Sequence, residues 1–370
     1  MRIRNFEPDQ IDPCLSAQVS AAIKEVCESG NFFFGEKTEM FEAAFAEYTG
    51  SKFCIAASSG TMSLYLSLKA LGIGYGSRVA TVSNTCSPAV SAILATGAEP
   101  VFVEVEPTSL MMDGVDLANQ FSAGDISALM LVHLWGHTCD LRELQKLANQ
   151  YKVPVIEDCA QALGSRYAGF PVGSASDVGC YSFYPTKALA SFGDAGAIVT
   201  NNQDIAQNLR SLRFYGFNAD RVSLTLGFNG RMSEVQAAFL SSKLGALDEK
   251  LRKKRILAKC YDDNLRTECL QIIPNIVGGQ SSYHQYVIRI KDRDSLQKFL
   301  MERGIETNIH YATPVHRMPA FSPFSRELVE TELAADQILS LPIHTGLSEE
   351  EVFYVAKTVN EFTERFVGQD

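Results

Sequence analysis

The 370-residue sequence lacks three features that would mark other classes of protein. It has no long uncharged apolar run, so we expect no helix that spans a bilayer. Its nine cysteines include no Cys-x-x-Cys pair, and we interpret them as reduced thiols rather than a zinc site or a disulfide framework. Residues 1–7 lack the apolar core of a secretory signal, which predicts a cytoplasmic protein.

Positive charge is also scarce, because 33 lysines and arginines stand against 43 aspartates and glutamates, for a formal net charge of -10. This balance argues against a nucleic acid or an anionic membrane as a partner, while a local basic pocket for a phosphate stays compatible with it. The basic run at 250–255 has acidic neighbours. We interpret it as the solvated face of a helix.

The apolar segments alternate between strand and helix patterns. Strands are predicted at 53–57, 78–82, 100–103, 128–132 and 153–156. Helices are predicted at 16–28, 39–48, 62–71, 89–95 and 141–151. This order predicts an α/β fold with right-handed crossovers and a mostly parallel sheet that has helices on both faces. Ligands of such sheets bind beyond the carboxyl ends of the strands.

The C-terminal part of the sequence has a less regular pattern. A charged helix is predicted from residue 247. Further strands are predicted at 283–290 and 305–311, and further helices at 295–303, 328–339 and 349–366. We therefore place a large domain at 1–246 and a smaller α+β domain, packed against the sheet, at 247–370.

A small hydroxylated turn, Ser59-Gly60-Thr61, lies between the strand at 53–57 and the helix at 62–71. The free backbone N–H groups and the dipole of a helix start favour a phosphate there. The turn has neither a Walker nor a Gly-x-Gly-x-x-Gly sequence. The alternative is an ordinary N-cap, in which Ser59 or Thr61 binds the amides of the first turn.

Lys187 follows the apolar run at 178–181 and a Pro-Thr turn, a position that predicts partial burial. Burial lowers the pKa of a lysine amine. A neutral amine in a cleft is what Schiff-base chemistry with a carbonyl requires. The alternative is a lysine whose stem lies along the surface and whose ammonium reaches solvent.

Asp158 and Gln161 follow the strand at 153–156, where one helical turn would point both side chains the same way. A helix N-cap is the alternative interpretation of Asp158. A carboxylate and a buried lysine at strand ends are the pair that a pyridoxal cofactor needs, one for the pyridinium N–H and one for the aldehyde. His133 and His137 are four residues apart, but the Trp-Gly between them and the strand before them argue against a metal site, and none is predicted.

The order and number of these motifs resemble the DegT/DnrJ/EryC1/StrS family of sugar aminotransferases, over nearly the whole chain. The matching stretches lie at 33–35, 59–61, 71–74, 132–136, 156–162, 181–187, 193–196, 227–238 and 309–311. The resemblance implies the aspartate-aminotransferase (type I) fold, with a mostly parallel sheet of the seven-stranded type. It also implies pyridoxal 5′-phosphate as the cofactor.

The resemblance implies roles for individual residues. Lys187 would form the Schiff base with the cofactor, Asp158 would bind the pyridine nitrogen, and Gln161 would lie near the ring hydroxyl. The implied phosphate ligands are Ser59, Gly60, Thr61 and Ser182, with Asn229 reaching in from the partner subunit of a homodimer that shares its active sites. The implied substrate contacts are Phe34, Arg231, His310 and Tyr311.

The implied activity follows from the lysine. Relatives with histidine at the position of Lys187 perform dehydration, so lysine implies amino transfer. The expected reaction moves an amino group from L-glutamate to a keto-sugar, nucleotide-linked or a free sugar acid, in amino-sugar or surface-polysaccharide (lipopolysaccharide) synthesis. A sugar dehydratase, a cyclitol aminotransferase and a non-catalytic regulatory protein that binds pyridoxal phosphate stay open as alternatives.

One position departs from the family pattern. The residue after Thr85 is usually an aromatic that stacks on the cofactor ring, and here it is Cys86. Because cysteine is small, either another group covers the ring or the pocket above it is reshaped. We interpret Cys86 as a neutral substitution in the cofactor site, since no cation is predicted near enough to activate the thiol. An unusual substrate and a reactive thiol are the alternatives.

Overall fold

The computed structural model describes residues 2–7 and 13–366. The helices are α1 (Pro13–Ser29), α2 (Glu36–Thr49), α3 (Gly60–Ala70), α4 (Ser87–Ala95), α5 (Gly114–Ala123), α6 (Leu141–Tyr151), α7 (Gln203–Leu212), α8 (Glu234–Leu244), α9 (Leu247–Asn264), α10 (Arg293–Glu302), α11 (Val329–Gln337) and α12 (Glu349–Phe366). The strands are β1 (Phe53–Ala57), β2 (Arg78–Val82), β3 (Glu99–Val103), β4 (Ala128–Val132), β5 (Val155–Asp158), β6 (Arg166–Tyr167), β7 (Phe170–Pro171), β8 (Val178–Ser182), β9 (Gly196–Thr200), β10 (Gln271–Ile272), β11 (Gly279–Gln280), β12 (Tyr286–Arg289) and β13 (Ile338–Leu341). Among these helices, none combines the length and the apolar character that crossing a bilayer requires.

The large sheet has seven strands in the order β1-β9-β8-β5-β4-β2-β3. The strands from β8 to β3 pair in parallel, and β9 lies antiparallel between β8 and β1. All five residues of β4 are buried, as expected for a strand that is covered on both faces. The predicted α/β fold with a mostly parallel sheet is confirmed.

Three apolar clusters cover the two faces of this sheet, and β1 contributes to two of them. Cys54 and Ala56 belong to the cluster under α2 and α8, whereas Ile55 between them belongs to the cluster under α3. This division follows from the alternation of side chains along a strand. In the first cluster, Phe45 packs edge to face against Tyr181 of β8, with ring centroids 5.1 Å apart. This contact holds β8, the strand that leads to Lys187, against α2.

Helix boundaries follow local signals where a cap is present. α6 begins and ends at the predicted residues, because the Asp140 side chain accepts a hydrogen bond from Glu143 N at 3.1 Å and closes the first turn. The last helix, α12, also has its predicted bounds. Helix α3 starts at Gly60, two residues earlier than its apolar pattern indicates.

The second sheet, β10-β12-β13, packs with α9, α10 and α12 around a separate apolar cluster that includes Leu257, Tyr261 and Val355. Three predictions here are wrong in whole or in part. The range 305–311 is not a strand, since the described structure has only isolated bridges there. The strand beside β12 is β13, and the helix predicted at 328–339 ends at Gln337 because the four residues of β13 are all buried in the sheet. The strand predicted at 283–290 begins only at Tyr286.

Candidate active site

A cavity of about 330 Å³ lies at the carboxyl end of the parallel strands. It brings together the eight cofactor-site residues that the sequence predicts within one chain: Ser59, Gly60, Thr61, Cys86, Asp158, Gln161, Ser182 and Lys187. Three different segments supply the central ones, namely the turn before α3, the end of β5 and the loop after β8. The strand-end position that parallel sheets favour for ligands is thus where the predicted residues meet.

One end of the cavity is the N-terminus of α3. Ser59 is its N-cap, and its Oγ accepts a hydrogen bond from Met62 N at 3.1 Å, so the alternative N-cap interpretation is correct for this side chain. Gly60 is required by close approach, because a Cβ atom there would lie 2.6 Å from Ser182 Cβ. The tight packing leaves the first backbone N–H groups of α3 beside the cavity, where a helix start favours an anion.

Lys187 is half-buried in the loop that follows β8, and its backbone N–H donates to Tyr184 O at 2.8 Å. Burial lowers the pKa of the Lys187 amine, and the negative charge of Asp158 acts in the opposite direction. The structure therefore agrees with the predicted cleft lysine and not with an ammonium that reaches solvent.

Asp158 is the last residue of β5 and is only 7% exposed. Burial raises the pKa of its carboxyl, while a hydrogen bond from Ala160 N at 3.0 Å and the charges of Lys187 and His133 act against this rise. The alternative N-cap interpretation is wrong, because residues 160–163 form turns and no helix follows. The helical turn predicted between Asp158 and Gln161 is absent for the same reason, yet both side chains line the cavity.

His133 and His137 have different partners. Both ring nitrogens of His133 are engaged: Nε2 with Glu157 Oε2 at 2.9 Å, and Nδ1 as acceptor from Cys139 N at 3.0 Å. The ligand atoms of His133, Glu157 and Cys159 lie within 4.8 Å of one another. Gly173 N also donates to Glu157 Oε2, at 2.6 Å, whereas Glu157 Oε1 is buried without a hydrogen-bond partner. His137 instead packs edge to face on Tyr283.

None of the four predicted substrate residues lines this cavity, and neither does Asn229. Arg231 stacks on Phe33, with Cζ 4.9 Å from the ring centroid, and Phe34 stacks on Arg213. Asn229 forms an isolated bridge with Phe214 nearby. These aromatic and basic residues form a separate surface, which we call the aromatic surface (33–34, 214–217, 222–226, 229 and 231).

The other two of these four residues, His310 and Tyr311, lie next to residues that line the cavity. His310 Nδ1 bonds Ser340 Oγ at 2.8 Å, and burial, with the charge of Lys187 in second place, lowers the pKa of His310 to about 4. The Tyr311 hydroxyl accepts a hydrogen bond from Gln161 Nε2 at 3.0 Å, and burial and the neighbouring Cys86 both raise its pKa. Tyr311 therefore contacts the cofactor-site residues directly.

Sequence reasoning assigned no role to several cavity residues: Leu64, Thr85, Pro88, Ala89, Val132, Tyr184 and Asp194. Asp194 belongs to the stretch at 193–196, Gly-Asp-Ala-Gly, which matches the family but to which the sequence assigns no role. The apolar residues gave no signal, because a side chain that lines a cavity has the same local pattern as one that lines a core.

The residues at this site fit a pyridoxal cofactor. A lysine of lowered pKa, a buried carboxylate and a helix N-terminus opposite them match the aldehyde, the ring nitrogen and the phosphate of that group. The fold and the site together define an aminotransferase of the aspartate-aminotransferase type.

Comparison with known proteins identifies the family. Residues 13–360 match the model of the DegT/DnrJ/EryC1/StrS aminotransferase family, and the chain belongs to this family. It is similar to dTDP-3-amino-3,6-dideoxy-alpha-D-galactopyranose transaminase from Aneurinibacillus thermoaerophilus, with 37% identity over 95% of this chain and 97% of the relative. The resemblance inferred from the motifs is therefore confirmed.

Solved structures agree with this assignment. DesV from S. venezuelae, in complex with a ketimine intermediate, superimposes with a TM-score of 0.94 at 36% identity and covers 98% of this chain and 99% of its own. The Bacillus subtilis protein ntda, with bound cofactor PMP, has a TM-score of 0.87 at 25% identity and covers 97% of this chain and 88% of its own. The protein is an enzyme of the sugar aminotransferase class, and its cofactor is pyridoxal 5′-phosphate.

Proposed function

We propose that the enzyme transfers an amino group from L-glutamate to a nucleotide-linked keto-sugar. The observation that carries the proposal is the placement of Lys187 and Asp158 on one cavity whose far end is the N-terminus of α3. The dTDP-linked sugar in the name of the Aneurinibacillus relative supports a nucleotide-linked acceptor over a free sugar acid. Lysine at position 187 favours amino transfer over dehydration.

Each cavity residue has a defined task in this reaction. Bound pyridoxal phosphate supplies an aldehyde that takes up the amino group and a ring that stores electrons. Asp158 accepts a hydrogen bond from the ring N–H and holds its positive charge. The N–H groups at Gly60 and Thr61 and the Ser182 hydroxyl bind the phosphate. Burial of Asp158 strengthens its interaction with a cation, because the surrounding protein screens charge less than water does.

Lys187 has two tasks at the same position. Its amine holds the cofactor's aldehyde between turnovers, and once displaced by an amino donor it moves a proton on and off the reacting carbon. Burial lowers the pKa of this amine, which makes the neutral form that accepts the proton easier to reach. The same nitrogen would then give the proton, as a general acid, to the carbon that was the cofactor's aldehyde.

We further propose a homodimer in which the aromatic surface meets the partner's cavity. Val222, Leu224 and Leu226 on this surface are 54%, 71% and 75% exposed. Neighbouring exposed apolar side chains of this kind are typical of a surface that another protein covers. Asn229 would then reach the partner's phosphate, and Phe34 and Arg231 the partner's sugar. His310 and Tyr311 contribute to the sugar pocket of their own subunit.

The wider setting of the reaction is part of the same proposal. We place the enzyme in the cytoplasm, in the synthesis of an amino sugar for a surface polysaccharide such as lipopolysaccharide. We also keep the boundary between a large domain, 1–246, and a small one, 247–370. Support comes from α8 and α9, which end and begin at Leu244 and Leu247, and from the separate apolar cluster that follows.

The proposal is tested with Lys187→Ala. Because Lys187 is the one lysine among the described residues that line the cavity, we expect loss of turnover and of the cofactor's visible absorbance, with a folded protein by circular dichroism. The wild-type protein, loaded with L-glutamate and freed of excess donor, should regain its visible band only with an acceptor drawn from a panel of nucleotide-linked keto-sugars and free sugar acids. Turnover by Lys187→Ala would exclude the assigned role, and a band that L-glutamate leaves unchanged would exclude this donor.

A further inference from the structure

The side-chain amide of Gln161 is held in one orientation. Trp135 N–H donates to Gln161 Oε1 at 2.9 Å. A backbone N–H is a donor only, so the amide oxygen must face it and the amide nitrogen must face away. The nitrogen, Nε2, donates to the Tyr311 hydroxyl at 3.0 Å. Both ends of the amide are thus fixed at the cavity wall.

Cys86 lies next to Tyr311 at the end of this chain of hydrogen bonds. The Tyr311 oxygen accepts from Gln161, and its own proton is free to turn toward the neighbouring Cys86 thiol. Burial raises the pKa of the Tyr311 hydroxyl, and the neighbouring Cys86 acts in the same direction. The hydroxyl therefore stays protonated at neutral pH and remains a donor. An amide, a phenol and a thiol follow one another beside the cavity.

The position of Tyr311 is fixed by the residue that also fixes Gln161. The indole Nε1 of Trp135 donates to His310 O at 2.8 Å, and this tryptophan is fully buried. The His310 ring is in turn bonded to Ser340 Oγ of β13. Trp135 therefore aligns Gln161 through its backbone and the segment of Tyr311 through its side chain.

We propose that Tyr311 is a positioning residue that acts through Gln161. Its hydroxyl accepts a hydrogen bond from one N–H of Gln161 Nε2, which directs the second N–H toward the ring oxygen of the bound cofactor. Cys86 holds the phenol in place. This inference rests on the proposed function. A hydrogen bond donated to an oxyanion favours its ionised form, so this amide lowers the pKa of the bound chromophore. Cys86 thus contributes by holding Tyr311 rather than by reacting.

Other ionisable groups around the same space contribute to its titration. Those that line the cavity are Cys86, His133, Asp158, Tyr184, Lys187 and Asp194. The charge of Asp158 also acts on Tyr311, and that of Lys187 acts on His310. Since the variants below keep all of these groups except Cys86, a change in the titration midpoint reports the hydrogen-bond chain.

The test is a pH titration of the visible absorbance of the holoenzyme without any substrate. Tyr311→Phe keeps the ring and removes the acceptor of Gln161 Nε2. We expect its midpoint to rise by about 0.5 to 1 pH unit, the equivalent of one ordinary hydrogen bond. The matched control is Tyr283→Phe, whose hydroxyl accepts from Asn275 Nδ2 at 3.0 Å away from this cavity, and its midpoint should equal that of the wild type.

A double-mutant cycle shows whether Tyr311 acts through Gln161. In the Gln161→Leu background, Tyr311→Phe should add no further shift, and additive shifts would overturn the proposal. Cys86→Ala should move the midpoint in the same direction by a smaller amount, and Cys86→Ser, whose hydroxyl also accepts, should restore it. An unchanged midpoint in Tyr311→Phe or in Cys86→Ala contradicts the chain. Failure of the proposed function would be distinct, since the wild-type band would then not respond to amino donors.

Discussion

Replacement of Asp158 by asparagine removes one negative charge from the cavity and almost no volume. The asparagine Oδ1 can still accept the hydrogen bond that Ala160 N now donates to the carboxylate at 3.0 Å. The turn after β5 should therefore keep its shape. What the variant loses is the anion that faces Lys187 and, in the proposed function, the ring N–H of the cofactor.

The expected effects follow from the burial of this carboxylate. A hydrogen bond to a charged group contributes about 1.5–3 kcal/mol, which corresponds to about 10- to 150-fold weaker cofactor binding in Asp158→Asn. Loss of electrostatic support for the ring should lower kcat by about 10²- to 10³-fold. The KM for the amino donor should change little, because Asp158 faces the ring and the interaction strengthens in the transition state.

The cofactor-free protein should respond in the opposite direction. Burial raises the pKa of Asp158 in the folded state, so the folded protein holds this proton more tightly than the unfolded chain does. Its contribution to stability therefore falls as the pH rises through the two pKa values. Asparagine carries no charge to bury, and the Tm of the cofactor-free variant at pH 7 should equal or exceed that of the wild type.

Three measurements check this prediction: cofactor affinity by absorbance titration, kcat and KM with L-glutamate and an accepted keto-sugar, and Tm without cofactor. The matched control is Asp177→Asn, because Asp177 accepts from Val155 N at 2.8 Å at the opposite end of β5 and does not line the cavity. An unchanged kcat in Asp158→Asn would refute the role of the carboxylate. A lower Tm would refute the reasoning from its burial.

Two further predictions concern the phosphate end of the cavity and the proposed dimer. In Gly60→Ala the new Cβ would lie 2.6 Å from Ser182 Cβ, so α3 must shift. We expect the free energy of unfolding to fall by about 1–3 kcal/mol and cofactor binding to weaken, both measured by calorimetry. The control is Gly245→Ala, which has open space around the new Cβ and should match the wild type. Lys187→Ala and Asn229→Asp should each be nearly inactive, the second because a carboxylate repels the phosphate. Unfolded together and refolded as a 1:1 mixture, they should regain about a quarter of the wild-type activity, since half the dimers carry one intact site. No regain would mean that Asn229 serves its own subunit.

The parts of the fold that the sequence predicts well are those with local signals. The turn at Ser59 to Thr61 and the loop of Lys187 each follow a short buried strand, and the carboxyl ends of parallel strands meet at one edge of a sheet. Asp158 could be paired with Lys187 on this ground alone. The cap of α6 at Asp140 is likewise contained within a few residues.

The parts that could not be predicted depend on distant partners. β13 has the apolar character of a helix face, and it becomes a strand because it pairs with the edge of β12. The range 305–311, which was predicted to be a strand, does not pair with that edge. The antiparallel position of β9 between β1 and β8 is of the same kind. Strand propensity measures fit to a surface, and the surface is set by the whole fold.

The departure at position 86 shows how a local oddity acquires a physical reason. Read alone, Cys86 is a small residue where the family pattern has an aromatic one, and nothing in the sequence connects it with Tyr311, 225 positions away. In the structure the Tyr311 hydroxyl accepts a hydrogen bond from the Gln161 amide, and Cys86 is among the neighbours that raise its pKa. Because the tyrosine is itself held by Trp135 through His310 O, the small residue at position 86 lies beside a hydroxyl whose place is fixed by the fold.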